Sequence, residues 1–174
     1  MRIIAGALGG RVFDSPHGHR THPMSDKIRG ALFNMLGDIE GLTVLDAFAG
    51  SGALGFEALS RGARSVVAVE TDKSAQITIA KNIRDLGLGR SMKLVQASAN
   101  AWLQTSGGPR FDIVLLDPPY DEVQLPLLER LTACVAKDGI LVLSWPGSMD
   151  LPHFTTHELI EKRAYGDAQL GFYK

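Results

Sequence analysis

Apolar residues along the chain follow two different periods, and the change between them marks out the elements. Up to residue 24 no period is visible. That stretch is rich in Gly, Pro and His and predicts irregular backbone with at most one short hairpin. Ser25 then stands as an N-cap before Ile28, Ala31, Leu32, Met35 and Leu36, a stripe at helical spacing that Gly37 should terminate.

From residue 43 onward, short apolar runs alternate with helical stripes. Thr43–Phe48 predicts a buried strand, followed by a glycine-rich turn and a helix ending near Gly62. Val66–Glu70 predicts a second strand, and a helix from Lys73 to Leu86 is stopped by Gly87 and Gly89. Met92–Gln96 reads as a weaker strand and Phe111–Leu116 as the most apolar one. A helix over Gln124–Ala136, a fifth strand over Gly139–Leu143, and two more strands over Thr155–Glu161 and Gln169–Tyr173 complete the pattern. Strands nearly continuous in apolar residues and separated by helices are parallel, buried on both faces and joined by right-handed crossovers. The chain is therefore expected to form a doubly wound α/β sheet, whose ligands sit beyond the C-terminal strand ends near the reversal of strand order.

Composition narrows this only slightly. At 174 residues with 45% hydrophobic and 21% charged positions, the chain has the size and balance of one globular domain. It shows no membrane-length apolar run and no secretory leader, and a single cysteine, Cys134, precludes an internal disulfide. A cytoplasmic, reducing location is the expectation. The formal charge of −1 hides a basic N-terminal arm, in which Arg2, Arg11, Arg20, Lys27 and Arg29 outnumber Asp14 and Asp26. Such an arm can touch a polyanion although the body of the chain is weakly acidic.

The candidate chemistry lies at two strand ends. After the first strand comes Asp46-Ala47-Phe48-Ala49-Gly50-Ser51-Gly52-Ala53-Leu54-Gly55, a G-x-G-x-x-G turn, and Glu70 closes the second strand. Small residues admit a ligand close to the backbone, and an acid at Glu70 can accept from both hydroxyls of a ribose. That pattern suits a nicotinamide dinucleotide or S-adenosylmethionine alike. Asp46 separates them, since a carboxylate before the loop repels a pyrophosphate and attracts an ammonium group. After the most apolar strand stands Asp117-Pro118-Pro119-Tyr120. The two prolines stiffen the segment and leave carbonyls free to accept. The Asp117 side chain and the Pro118 carbonyl can take both hydrogens of a planar amine while Tyr120 offers a stacking face. Acceptors fixed in this way favour the pyramidal amine whose lone pair attacks a sulfonium methyl.

These residues, with Glu57-Ala58-Leu59-Ser60-Arg61-Gly62, closely resemble the RsmD family of 16S ribosomal RNA guanine-N2 methyltransferases. Ile3-Ile4-Ala5-Gly6, Gly10-Arg11, Pro23, Ser25-Asp26-Lys27-Ile28-Arg29, Ala31-Leu32-Phe33-Asn34 and Tyr165-Gly166-Asp167 extend the resemblance over nearly the whole chain. Departures from the family pattern fall at Gly9, His22, Met24 and Gly30. The resemblance implies a Rossmann-like class I methyltransferase domain over 38–174. Residues 1–37 would form an arm and helix that contact RNA and cover the cofactor. It also implies S-adenosylmethionine as cofactor, held by Asp46, Phe48, Ala49, Gly50, Ser51, Gly52, Glu70, Thr71, Ser98 and Asp117. Asp117, Pro118, Pro119 and Tyr120 would carry the chemistry, and Arg2, Arg11, Arg20, Lys27 and Arg29 would meet RNA. The implied partner is 16S rRNA, within a small ribosomal subunit or its assembly intermediate, bound by a monomer with no membrane contact. Ser98 or Asn100 is the candidate for the adenine amine.

Rival readings are an adenine-N6 or cytosine-N4 methyltransferase, an NAD-linked oxidoreductase resting on the glycines and Glu70, and a non-catalytic RNA-binding factor. No metal is expected: His17, His19 and His22 stand in the arm without a supporting carboxylate or thiolate pattern. Cys134, placed on a helix by its apolar neighbours, should be a core residue, as should Trp102 and Trp145.

Overall fold

A computed structural model describes residues 1–16, 24–121 and 124–174. Among these the helices are α1 (Asp26–Leu36), α2 (Ala53–Ser60), α3 (Lys73–Asp85), α4 (Ala99–Thr105) and α5 (Leu125–Thr132). The strands are β1 (Thr43–Asp46), β2 (Ser65–Glu70), β3 (Met92–Gln96), β4 (Phe111–Leu116), β5 (Val135–Pro146), β6 (Leu159–Tyr165) and β7 (Ala168–Tyr173). They form one sheet in the order β3-β2-β1-β4-β5-β7-β6, with β7 antiparallel to β5 and β6 and the remaining neighbours parallel. This is the doubly wound α/β sheet that the strand and helix pattern predicts. None of the described helices is long and apolar enough to cross a membrane.

Strand order reverses between β1 and β4, which pair directly through Val44–Ile113, Leu45–Val114 and Asp46–Leu115. Their C-terminal ends therefore open into a single crevice. One core cluster lies on the side of α1, α2 and α3, around Phe33, Phe56, Ile79 and Ile113, and the other around Trp102, Val114, Leu131 and Tyr173.

The arm is built into the first core. Arg2 and Val12 bridge as a minimal hairpin, and Ile3 and Phe13 are buried, Phe13 packing edge-on against Phe56 at 5.1 Å. Its backbone is tied to α2: the Ile4 and Ala5 amides donate to the Glu57 carboxylate at 2.7 and 3.1 Å, and the Leu8 amide to Ser60 Oγ at 2.9 Å. A second tie runs to α3, where Asn82 exchanges two hydrogen bonds with the backbone of Asp14.

Several boundaries differ from expectation for identifiable reasons. The first strand ends at Asp46 and not at Phe48, although Ala47 still donates to Leu115 and Ala49 to Val69 across the turn. The fifth helix stops at Thr132, so Cys134 sits in the turn before β5 and not on the helix; it is buried as expected. Lys137-Asp138-Gly139 resembles a turn but is an irregularity inside β5, whose pairing to β4 shifts between Phe111 and Ile113. Asp138 there has φ of 64°, and a Cβ on Gly139 would meet two carbonyl oxygens at 2.9 Å, so only glycine fits. The short helix α4 was not anticipated, because Trp102 is its one large buried side chain and seven residues show no stripe.

Candidate active site

Asp46 ends β1 fully buried, and neither carboxylate oxygen has a partner at good hydrogen-bonding geometry, the Phe48 and Gly55 amides being its nearest donors. Burial, with the nearby Asp117 and Glu70 carboxylates, raises its pKa from 3.8 to about 8; the Phe48 and Gly55 amides oppose the rise only in part. A buried acid without a partner is costly unless something cationic meets it.

The glycine loop wraps the end of this strand. Gly52, with φ of 79°, caps α2, and a Cβ there would lie 2.8 Å from the Phe56 ring. The loop is secured by Glu70 at the end of β2. One of its oxygens accepts from the Gly50 amide and the other from the Asp72 amide, both at 2.6 Å. Ionised carboxylate oxygens each have a second lone pair, so Glu70 retains capacity for an added hydroxyl. Phe48 is half-buried, Ala49 and Ser51 are buried, and Thr71 is exposed beside Glu70. Ser98 follows β3 as the N-cap of α4, accepting from the Ala101 amide at 3.2 Å, and the Asn100 side chain accepts from Arg130 at 2.6 Å.

On the other wall, Asp117 follows β4. Burial raises its pKa to about 6, against a hydrogen bond from Ser144 that lowers it. Pro118 is buried, while Pro119 and Tyr120 are exposed at the mouth. The Tyr120 hydroxyl lies 2.9 Å from Ser144 Oγ. Its pKa is raised by burial and by the Asp117 and Asp167 carboxylates, and lowered by the Ser144 bond. The residues proposed for cofactor and chemistry thus meet at the ends of β1 to β4. Ser144, on β5, joins them without having been singled out from sequence.

The proposed RNA-contacting set divides. Arg29 has no exposed surface and cannot reach an external phosphate: it donates to the Met24 and Arg2 carbonyls and to Asp26, 3.9 Å from the buried Glu57. Its helical position and basic neighbours concealed this, since an arginine on a short amphipathic helix reads as exposed. Arg2 pairs with Asp26 on the surface, Arg11 reaches the Asp85 carbonyl at 3.3 Å, and Lys27 is exposed. Arg20, His17, His19, His22 and Pro23 lie outside the described residues.

A doubly wound sheet with an unpaired acid, a glycine loop and an amine-accepting segment at its switch point defines a methyltransferase of the Rossmann-like type. The family described as "Conserved hypothetical protein 95" matches residues 1–174. The chain belongs to this family, that of the RsmD ribosomal RNA methyltransferases. It is 34% identical to the Bacillus subtilis protein named "Putative rRNA methyltransferase YlbH", over all of this chain and 98% of that one. It is also 40% identical to "Ribosomal RNA small subunit methyltransferase D" of Haemophilus influenzae, across 69% of this chain and 64% of that protein. The solved structure titled "Putative methyltransferase yhhF" from Escherichia coli superposes with a TM-score of 0.88 at 31% identity, covering 99% of this chain and 96% of that one.

Proposed function

We propose that this protein transfers a methyl group from S-adenosylmethionine to the exocyclic N2 of a guanine in small-subunit ribosomal RNA. The family resemblance implies guanine 966 as that base. The observation that carries the reading is Asp117 and Tyr120 on one side of a crevice whose other side is the buried, unpartnered Asp46. The donor fits the residues present. Asp46 would hold its ammonium group, the Gly50–Gly52 turn would pass its backbone, and Glu70 would accept from its ribose. When bound, it supplies an electrophilic sulfonium methyl.

The chain's own part is positioning. Asp117 and the Pro118 carbonyl accept the two amine hydrogens, which localises the nitrogen lone pair as the bond forms. Tyr120 presents its ring to the base, and its exposed position at the mouth leaves that face accessible. Asp117 accepts most strongly when ionised, and a pKa of about 6 leaves it mostly so at neutral pH. Exposed Arg2, Arg11 and Lys27 would meet RNA phosphates outside the crevice, on free rRNA or in an assembling subunit.

The test is mass spectrometry of rRNA nucleosides from a deletion strain. N2-methylguanosine should be lost, restored by the wild-type gene and not by Asp117→Ala. Unchanged N2-methylguanosine with loss of N6-methyladenosine or N4-methylcytidine would replace the proposed base.

A further inference from the structure

β5 runs beside β4 with Leu143 level with Leu116, so the next residue on each strand, Ser144 and Asp117, stand side by side at the crevice. Ser144 is only 5% exposed. Its hydroxyl lies 2.9 Å from the Tyr120 hydroxyl, and the register sets it beside the Asp117 carboxylate, whose charged form it favours. A serine hydroxyl has one hydrogen to give, and an ionised carboxylate can only accept. If that hydrogen goes to Asp117, Ser144 Oγ is left to accept from the Tyr120 hydroxyl.

We propose that Ser144 is a positioning residue of the methyl-transfer reaction, its single hydroxyl holding the Tyr120 ring over the crevice beside the Asp117 carboxylate. The proposal rests on the reading above, that Asp117 accepts amine hydrogens and Tyr120 stacks the base. Without Ser144 an exposed tyrosine at a proline-stiffened turn has lost its hydroxyl anchor and can rotate away. Asp117, meanwhile, stands among acidic and polar neighbours. Asp46 approaches from β1 with Glu70 behind it on β2, Tyr120 stands in its own loop, and Asp167 lies beside Tyr120 at the β6–β7 turn. That turn is fastened to the end of β5 by the Gly147 amide donating to the Asp167 carbonyl at 2.7 Å. Against burial, the Ser144 hydrogen bond is what brings Asp117 down. The shared hydroxyl thus couples base placement to the charge state of the acceptor.

The test combines a direct titration with a rate profile, on the full-length protein. The Asp117 carboxyl is titrated by carbon-13 NMR without ligand. Single-turnover methyl transfer is then followed against pH on small-subunit rRNA. Ser144→Ala should move both the Asp117 midpoint and the acidic limb of the rate profile upward by about one pH unit, as for loss of a hydrogen bond to a charged group. Ser144→Thr, which keeps the hydroxyl, should restore both. Ser144→Cys, a weak donor of similar size, should shift them in the same sense and serves as the probe if the alanine variant does not fold. Tyr120→Phe should lower the rate about 2–10-fold, as for one neutral hydrogen bond, and leave the limb at its wild-type position. An unmoved Asp117 midpoint in folded Ser144→Ala would overturn the proposal. So would a midpoint shift with no change in the limb. Absence of methyl transfer by the wild type, with the midpoint still shifted, would reject the reaction and retain the Ser144–Asp117 contact.

Discussion

Asp46 offers the sharpest separation between a ligand-binding acid and a structural one. Folding carries its carboxyl pKa from 3.8 to about 8. Between those values the native state binds more protons than the unfolded one, so stability falls as pH rises through that window and is flat outside it. At pH 7 the penalty spans roughly three units at about 1.4 kcal/mol each, a ceiling on the order of 4 kcal/mol. Structural relaxation and water entry reduce such penalties, so about 1–3 kcal/mol is expected. Asp46→Asn keeps the shape and cannot ionise. It should therefore match the wild type in stability near pH 4 and exceed it at pH 7. For a chain of 174 residues the gain corresponds to about 2–10 °C in melting temperature.

Thermal melts of both proteins from pH 4 to 8.5, without ligand, make the measurement. The reasoning fails if the two curves run parallel across the whole range, because Asp46 would then be ionised and paired in the native state. The same substitution should weaken S-adenosylmethionine binding about 10–100-fold through loss of a charge-assisted contact. A cation that draws Asp46 into its ionised form also expels a proton. Wild-type binding at pH 7 should therefore release close to one proton, seen as a buffer-dependent heat in calorimetry, and Asp46→Asn should abolish the release.

Other predictions follow from the same geometry. Asp117→Ala should slow single-turnover methyl transfer about 10²–10³-fold, as for loss of a fixed acceptor in the transition state, while leaving cofactor affinity near wild type. Glu70→Ala should weaken cofactor binding by about 1–3 kcal/mol and also lower the melting temperature, because the Gly50 and Asp72 amides lose their acceptor. Unchanged affinity in a folded variant would take Glu70 out of the ribose site. Arg29→Ala should cost about 3–5 kcal/mol of stability, since it leaves the Arg2 and Met24 carbonyls unpaired and a buried acid short of a cation. Joint removal of Arg2, Arg11 and Lys27 should instead flatten the salt dependence of RNA binding with little loss of stability. An unchanged slope would move the RNA surface elsewhere.

Much of the fold was legible because each strand of the parallel part carries its own signal. Val66–Glu70 and Phe111–Leu116 are apolar enough to be buried on both faces, Met92–Gln96 is a weaker edge strand, and all three observed strands agree to within a residue. Gly37 ends α1 and Ser25 caps it, donor and acceptor as the sequence implies. The errors cluster where tertiary pairing overrides a local signal. Lys137-Asp138-Gly139 has the chemistry of a turn, yet β4 continues to pair on both sides of it, so the strand passes through as a bulge.

The site divides along the same line. Asp46, Glu70 and Asp117-Pro118-Pro119-Tyr120 could be nominated from sequence because each lies at the end of an element whose local pattern announces it. Arg29 could not be placed correctly, because its burial depends on the arm folding back so that the Arg2 carbonyl meets its guanidinium across 27 positions of chain. Ser144 was invisible for a related reason: one serine after Leu141-Val142-Leu143 carries no motif. Its importance comes from register, which sets it beside Asp117, and from a hydroxyl that reaches Tyr120 from 24 residues away. From sequence Tyr120 offers only a stacking face. With its hydroxyl 2.9 Å from Ser144 Oγ, the phenol becomes the outer link of the proposed chain that ends on the Asp117 carboxylate. Substitutions at positions 120 and 144 should therefore be non-additive in the rate, each already removing the bond that the other would break.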